Sequence, residues 1–256
     1  MLTSFIGLVR VAGPAFLTMA APSDLQNKTG DNWGYPDDPK EPRIDKVRAI
    51  FGRLPGRMKI LDIGCANGAV LKPLLDRHEI HGVDISASLL KIANESGIKA
   101  VRHDLESGPL PYPDKTFDAV FCGETIEHHV DTDWLMSEAN RVLKPNGKLI
   151  LTFPNIRTAL SIAMMLFCDL PPMYAARYRA PHYRDFTVRT VKIVLKNHHF
   201  QLERSIGGAF FLPKIGEFGS SLATFLPSWS STVIFVTTKL ADSKYSSDDA
   251  IALSIY

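Results

Sequence analysis

Apolar and polar positions change period along the chain, and the changes divide it into elements. From Arg43 to Leu54 the apolar residues Ile44, Val47, Ile50 and Phe51 recur at helical spacing. Short apolar runs of strand length follow at Met58–Ile63, Ile80–Asp84, Lys99–Val101, Phe117–Cys122 and Lys148–Phe153. Helical segments separate them: about Ala69 to Arg77, then Ala87–Ser96 with Ser86 as its N-cap, then Asp133–Leu143. In the last of these Leu135, Ala139, Val142 and Leu143 share one face, and Pro145-Asn146-Gly147 is expected to close the helix. Strands alternating with helices over 58–153 predict a parallel sheet covered on both faces.

After Pro154 the rhythm breaks. Ile156–Leu170 is apolar almost all round, with Ile156, Leu160, Ala163 and Phe167 on one stripe and Ile162, Met165 and Leu166 off it. Residues 171–200 carry six basic side chains against one acid, Asp185. Two further strand-like runs, Phe200–Ser205 and Thr232–Thr238, close the pattern. The uncharged stretch 218–238 is long enough to span a bilayer, but Gly219, Pro227 and many Ser and Thr residues favour a helix followed by the final strand. Residues 5–22 imitate a signal peptide poorly, because no positive charge precedes the apolar run and Arg10 interrupts it. Residues 1–18 are therefore expected to be a dispensable extension or an upstream start.

Composition narrows the class. With 45% apolar and 22% charged residues, the chain can build a packed core and is not disordered. A net charge of +2 disfavours a general nucleic-acid binder. Cys65, Cys122 and Cys168 are too scattered for a disulfide framework or a zinc knuckle, which fits a reducing, cytoplasmic setting.

The most informative stretch is Leu61-Asp62-Ile63-Gly64-Cys65-Ala66-Asn67-Gly68, a strand running into a glycine turn and then a predicted helix. That is the first crossover of a nucleotide-binding sheet, and Asp84 stands at the end of the next strand, where a carboxylate can accept both ribose hydroxyls. The turn lacks the three-glycine pattern of a dinucleotide site, and Asp62 would repel a pyrophosphate. A cationic or zwitterionic ligand suits it better.

With LDIGCANG, GVDIS, HDLESGPLPYPDKTFDAVFCGETIEH and RVLKPNGKLILTFPN, the chain resembles the class I S-adenosylmethionine-dependent methyltransferases over about 58–155, and more loosely to 240 through HYRDFT and the last two strands. The resemblance implies a single Rossmann-like α/β domain: a seven-stranded, mostly parallel sheet with helices on both faces and the last strand antiparallel. It would span 43–240, with a substrate cover at about 156–200, a partly disordered N-terminal extension over 1–42 and a flexible tail over 241–256. S-adenosylmethionine would be the cofactor. By the same resemblance Asp62, Gly64 and Gly68 would contact the methionine moiety, Asp84 would hold the ribose, and Asp104 and Leu105 would border the adenine; Cys65 and Ile85 would also belong to the cofactor site. Cys122 and Gly123 would flank the methyl group. Ala66 replaces a glycine common in the family.

Glu124-Thr125-Ile126-Glu127-His128-His129 follows the fourth strand, and residues three and four apart share a helical face. Glu124, Glu127 and His128 would then point one way, with Glu127 and His128 available for proton transfer. The E-x-x-E-H spelling resembles that of ubiquinone-biosynthesis O-methyltransferases and small-RNA 2′-O-methyltransferases. There it implies a divalent cation such as Mg on Glu124, Glu127 and His128, completed by His182 of HYRDFT. In other relatives a similar step binds no metal. His129 is expected to face outward or line the cleft.

The expected function is O-methylation of a small-molecule or lipid-linked acceptor, an anionic one if the basic stretch 171–200 faces it. Peripheral membrane contact would follow from a lipid-like acceptor. The alternatives are a metal-dependent RNA 2′-O-methyltransferase and a non-catalytic cofactor-binding partner subunit. Nothing in the sequence sets an oligomeric state.

Overall fold

A computed structural model describes residues 34–169, 182–212 and 214–243. Helix α1 (Pro42–Gly52) leads into β1 (Lys59–Ile63), β2 (Glu79–Asp84), α2 (Ala87–Glu95), β3 (Lys99–Arg102) and β4 (Phe117–Gly123). Then come α3 (Thr132–Val142), β5 (Leu143–Pro154), α4 (Ala159–Cys168), α5 (Val188–Asn197) and β6 (Phe200–Gly207). A small hairpin of β7 (Phe210–Leu212) and β8 (Gly216–Phe218), the short helix α6 (Ser220–Ala223) and β9 (Thr232–Lys239) complete the described chain.

Seven strands pair in the order β3-β2-β1-β4-β5-β9-β6. Neighbours from β3 through β5 are parallel, and β9 runs antiparallel to both β5 and β6. The expected architecture, last strand included, is therefore present. Alternating residues of the central strands feed two separate cores. Leu61, Val120, Leu149 and Leu151 pack beneath α3 and α5, whereas Ile60, Ala119, Phe121 and Ile150 pack beneath α1 and α2. Every strand carboxyl end from β1 to β5 thus opens on one edge, the edge used for ligands in such sheets.

Several expected elements differ, each for a local reason. No α-helix covers 69–77; turns and a single 3-10 turn, Lys72–Leu74, stand there. Pro73 lacks the amide that the Ala69 carbonyl would need in a helix. Arg48 donates to that carbonyl instead, at 2.9 Å, and to Val70 O at 3.0 Å. Pro145-Asn146-Gly147 does not close α3 but lies inside β5, where the pairing with β4 shifts register and Asn146 takes φ 60. The buried ammonium of Lys239 terminates α3, donating to Asn140 O at 2.7 Å and Leu143 O at 3.0 Å.

The apolar segment after Pro154 does form a helix, α4, yet it is not core: Leu166 is 73% and Phe167 85% exposed, and only Ser161 is buried. Residues 170–181, with Arg177 and Arg179 of the basic stretch, lie outside the described residues, as do 1–33, 213 and 244–256. Tyr35 is tied to the cofactor turn, as described below, and Asn140 holds Ala241 O and the Ser243 amide at 3.0 Å each. The hairpin β7–β8 left no readable signal in the sequence, and the helix expected near 218 is only the four residues of α6. Among the described residues no helix is long and apolar enough to cross a membrane.

Candidate active site

The glycine turn is built by backbone bonds that cross from β1 to β2. Gly64 N and Cys65 N both donate to Val83 O, at 2.9 and 3.1 Å, and Gly68 N donates to Cys65 O at 2.8 Å. Gly64 has φ 75, and a Cβ there would meet Thr125 Oγ1 at 2.5 Å, so only glycine brings the turn this close to the loop after β4. Ala66 adopts φ 46 without that freedom. Its amide is held by Asp84 Oδ2 at 2.9 Å, while Asp84 Oδ1 accepts from Ser86 N at 2.9 Å.

Two acids share this end of the sheet. Burial, then the neighbouring Asp84, pushes the Asp62 carboxyl up to about 8. Burial also raises Asp84, against the opposing effect of its backbone amide donors. A cleft that holds two carboxyls in this condition favours a positively charged ligand, which would restore their charge. Gly64, Cys65 and Gly68 stand on the turn itself, and Ile85 follows Asp84. Asp104 and Leu105 lie half-buried just beyond β3. Cys122 is fully buried at the end of β4, its thiol pushed up by burial and then by Glu127 and Asp62; half-buried Gly123 follows it.

The loop after β4 departs from a simple helical turn. Glu124 has φ 50, an unusual conformation for a residue with a Cβ, and Ile126–His128 form a 3-10 turn. The left-handed step swings Glu124 away from the face it was expected to share with Glu127 and His128. Its Oε1 accepts from Thr152 Oγ1 at 3.0 Å, and it lies beside the guanidinium of Arg43. Among the described residues Glu127, His128 and His182 form a group whose ligand atoms all lie within 4.8 Å of one another, and Glu124 is outside it. The rings of His128 and His182 meet edge to face at 4.8 Å. Tyr183 N donates to Glu127 O at 2.9 Å, which brings His182 from the far segment to this loop.

Glu127 is 1% exposed, and among the described residues its Oε2 has no hydrogen-bond partner. Burial, reinforced by Glu124, holds its carboxyl well above the ordinary range. Burial lowers His182, which keeps the imidazole neutral and able to donate a lone pair. His129 does not face solvent; it is buried, and its Nδ1 meets Glu106 Oε1 at 2.9 Å.

Sequence reasoning missed a second set of residues. Arg43 is 4% exposed and donates to Tyr35 Oη at 2.8 Å, Glu41 Oε2 at 2.9 Å and Thr152 Oγ1 at 3.4 Å. Burial alone would lower its pKa, but Glu124, Tyr35 and Glu41 outweigh that and raise it. A signal existed: Arg43 stands four residues before Val47, on the apolar stripe of α1. Asn67, inside the turn, accepts from Tyr35 N at 3.3 Å and donates to Tyr35 O at 2.6 Å, so the segment before α1 is fastened to the turn.

A Rossmann-like sheet with an acidic glycine turn after its first strand is the architecture of a nucleoside-cofactor enzyme, and comparison with known proteins makes that class the methyltransferases. The family model for a methyltransferase domain matches residues 61–151. A ubiquinone biosynthesis O-methyltransferase of Xylella fastidiosa is 31% identical over 174 residues, covering 60% of this chain and 67% of that protein. The 27-O-demethylrifamycin SV methyltransferase of Amycolatopsis mediterranei is 32% identical over 132 residues, 46% of this chain and about half (48%) of that enzyme's length. Among solved structures, a methyltransferase of Thermotoga maritima described as a possible histamine N-methyltransferase shares the fold, with a TM-score of 0.57 at 21% identity, over 77% of this chain and 89% of that one. The chain belongs to the class I S-adenosylmethionine-dependent methyltransferases.

Proposed function

We propose that the enzyme methylates an oxygen of a small or lipid-like acceptor held over the loop after β4. The observation that carries this reading is the convergence of Glu127, His128 and His182 beside the cofactor turn. A carboxyl and two imidazoles are what a hydroxyl acceptor needs to lose its proton as the methyl arrives. The O-methyltransferases among the relatives point the same way.

S-adenosylmethionine, when bound, supplies an electrophilic methyl on a sulfonium. The chain's own residues do the rest, chiefly by alignment. Asp62 would pair with the ammonium of the methionine moiety, with the backbone of Gly64, Cys65 and Gly68 close to it. Asp84 would take the ribose hydroxyls, its oxygens already aimed by Ala66 N and Ser86 N. Asp104 and Leu105 would border the adenine, Ile85 would lie against the cofactor beside Asp84, and Cys122 and Gly123 would wall the methyl. His128 is the group placed to receive the acceptor's proton, with Glu127 beside it.

The triplet also fits a divalent cation. The Oε2 of Glu127, buried and without a hydrogen-bond partner among the described residues, suits a positive charge, and burial lowers His182 toward the neutral imidazole. Two imidazoles and one carboxylate suit manganese, iron or zinc better than the magnesium anticipated from the sequence. Such an ion, when bound, supplies Lewis acidity that lowers the pKa of an acceptor hydroxyl. Glu124 then serves the site from outside the ligand set.

Helix α4, with Met165, Leu166 and Phe167 exposed, supports an acceptor with an apolar part or a lipid-bearing one. The basic side chains Arg189, Lys192 and Lys196 occupy the exposed face of α5. The test is transfer of labelled methyl to quinone precursors, extracted lipids and small RNA, each with and without chelator. Label in a phenolic or lipid fraction supports the proposal; label confined to RNA would replace it with the nucleic-acid reading.

A further inference from the structure

The loop after β4 is gripped from two sides. On one side, Glu106 Oε1 accepts from His129 Nδ1 at 2.9 Å and from Val130 N at 3.1 Å. On the other, Glu127 O accepts from Tyr183 N at 2.9 Å and Arg184 N at 3.3 Å, and Val130 O accepts from Arg184 Nε at 3.0 Å. Glu106 is itself fixed to Asp104, whose Oδ1 accepts from Glu106 N at 3.0 Å. A chain of direct bonds therefore runs from Asp104, through Glu106 and His129, to the backbone that carries Glu127, His128 and the segment holding His182.

We infer that Glu106 and His129 are positioning residues that couple cofactor binding at Asp104 to the placement of the Glu127–His128–His182 group. The inference rests on the proposed reading of Asp104 as a cofactor residue and of that triplet as the acceptor site. His129 suits the task because it is buried and its ring bridges the loops that follow β3 and β4, strands that are not neighbours in the sheet. Glu106 suits it because one carboxylate oxygen grips both the side chain of His129 and the next backbone amide. Ordering the loop after β3 around a bound adenosine would fix Glu106. The loop after β4 and the 183–184 segment would then be ordered in turn.

Hydrogen exchange on the whole protein, with and without S-adenosylhomocysteine, tests this without knowledge of the acceptor. In the parent, ligand binding should slow exchange of the Tyr183 and Arg184 amides, which bond to Glu127 O, by about fivefold or more. Glu106→Ala should still bind the ligand, with affinity within about threefold, yet lose that slowing. Glu106→Gln, which keeps an acceptor oxygen, should retain much of it. Should Glu106→Ala fail to fold, His129→Ala takes its place in the same comparison. A purely structural bond would lower the melting temperature in Glu106→Ala but leave the ligand-induced slowing intact, and that outcome overturns the inference. So does a parent that binds the ligand and shows no slowing at 183–184. A parent that does not bind S-adenosylhomocysteine at all overturns the cofactor reading first, and this coupling with it.

Discussion

Asp84 Oδ2 accepts the Ala66 amide at 2.9 Å, and this bond joins the end of β2 to the middle of the glycine turn. It explains how Ala66 tolerates φ 46 where the family commonly has glycine. The same carboxylate is expected to hold the ribose, so Asp84→Ala removes a ligand contact and the turn's fastening together. Loss of charge-assisted hydrogen bonds of this kind costs about 1.5–3 kcal/mol, or roughly 10–100-fold in affinity. Calorimetric titration with S-adenosylhomocysteine should show that loss. Unchanged affinity would remove Asp84 from the site.

Asp62 carries a pH signature. Its folded-state value of about 8 lies above the ordinary aspartate value of 3.8, so the folded protein binds a proton that the unfolded chain releases between those limits. The stability this contributes is fully present below pH 3.8 and is lost as pH rises through about 8. The ligand-free protein should therefore gain thermal stability from this group as pH falls from 8 toward 5, and Asp62→Asn should flatten that slope. Binding of the cationic cofactor should do the reverse, gaining strength as pH rises and releasing a proton. Titrations in buffers of different ionisation enthalpy would detect the proton.

Gly64→Ala tests the turn itself. The new Cβ would meet Thr125 Oγ1 at 2.5 Å and Cγ2 at 3.0 Å while forcing a left-handed alanine. The conformational part alone costs about 1–2 kcal/mol, and the collision raises the total to roughly 2–4 kcal/mol. Denaturant unfolding measures the sum. Adding Thr125→Ala should recover the part due to collision; no recovery would show that the turn and this loop are not in contact.

The sheet was legible because each strand is a bounded apolar run and each helix carries its own period. The glycine turn was legible because Asp62, Gly64, Gly68 and Asp84 lie within one local β-turn-β unit. Arg43, Glu106 and His129 were not, because their partners lie far along the chain: Arg43 meets Thr152, and Glu106 meets His129. Glu124 misled for a different reason. Helical spacing assumes right-handed backbone, and a single residue at φ 50 redirects its side chain toward Arg43. Pro73 was visible in the sequence, and weighing its missing amide would have cancelled the helix expected at 69–77.

Helix α4 offers a contrast between stability and function. Leu166 and Phe167 are 73% and 85% exposed, so changing both to Ser should alter unfolding free energy by less than about 0.5 kcal/mol. If α4 meets an apolar acceptor, the same variant should raise KM for that acceptor with kcat little changed, because ground-state and transition-state contacts are lost alike. A large stability loss would instead show that this face is covered in the protein.

The triplet makes the sharpest prediction about chemistry. A cation that binds only the folded protein stabilises it by about 2.7 kcal/mol at a hundredfold excess over its Kd. Manganese added to chelator-treated protein should therefore raise the melting temperature, whether or not the acceptor has been found. His182→Ala and Glu127→Ala should each abolish that rise, since each removes one of three ligands. Thr152→Val, which alters the setting of Glu124 but none of the three ligands, should keep it. Once an acceptor is known, chelation should lower turnover at least about tenfold, and the two ligand variants should be insensitive to further chelation. A parent whose melting temperature and turnover both ignore manganese, iron, zinc and chelator alike uses His128 alone as its base. In that case Glu127 is a neighbour of the base and not a ligand, its carboxyl held well above the ordinary range by burial and by Glu124.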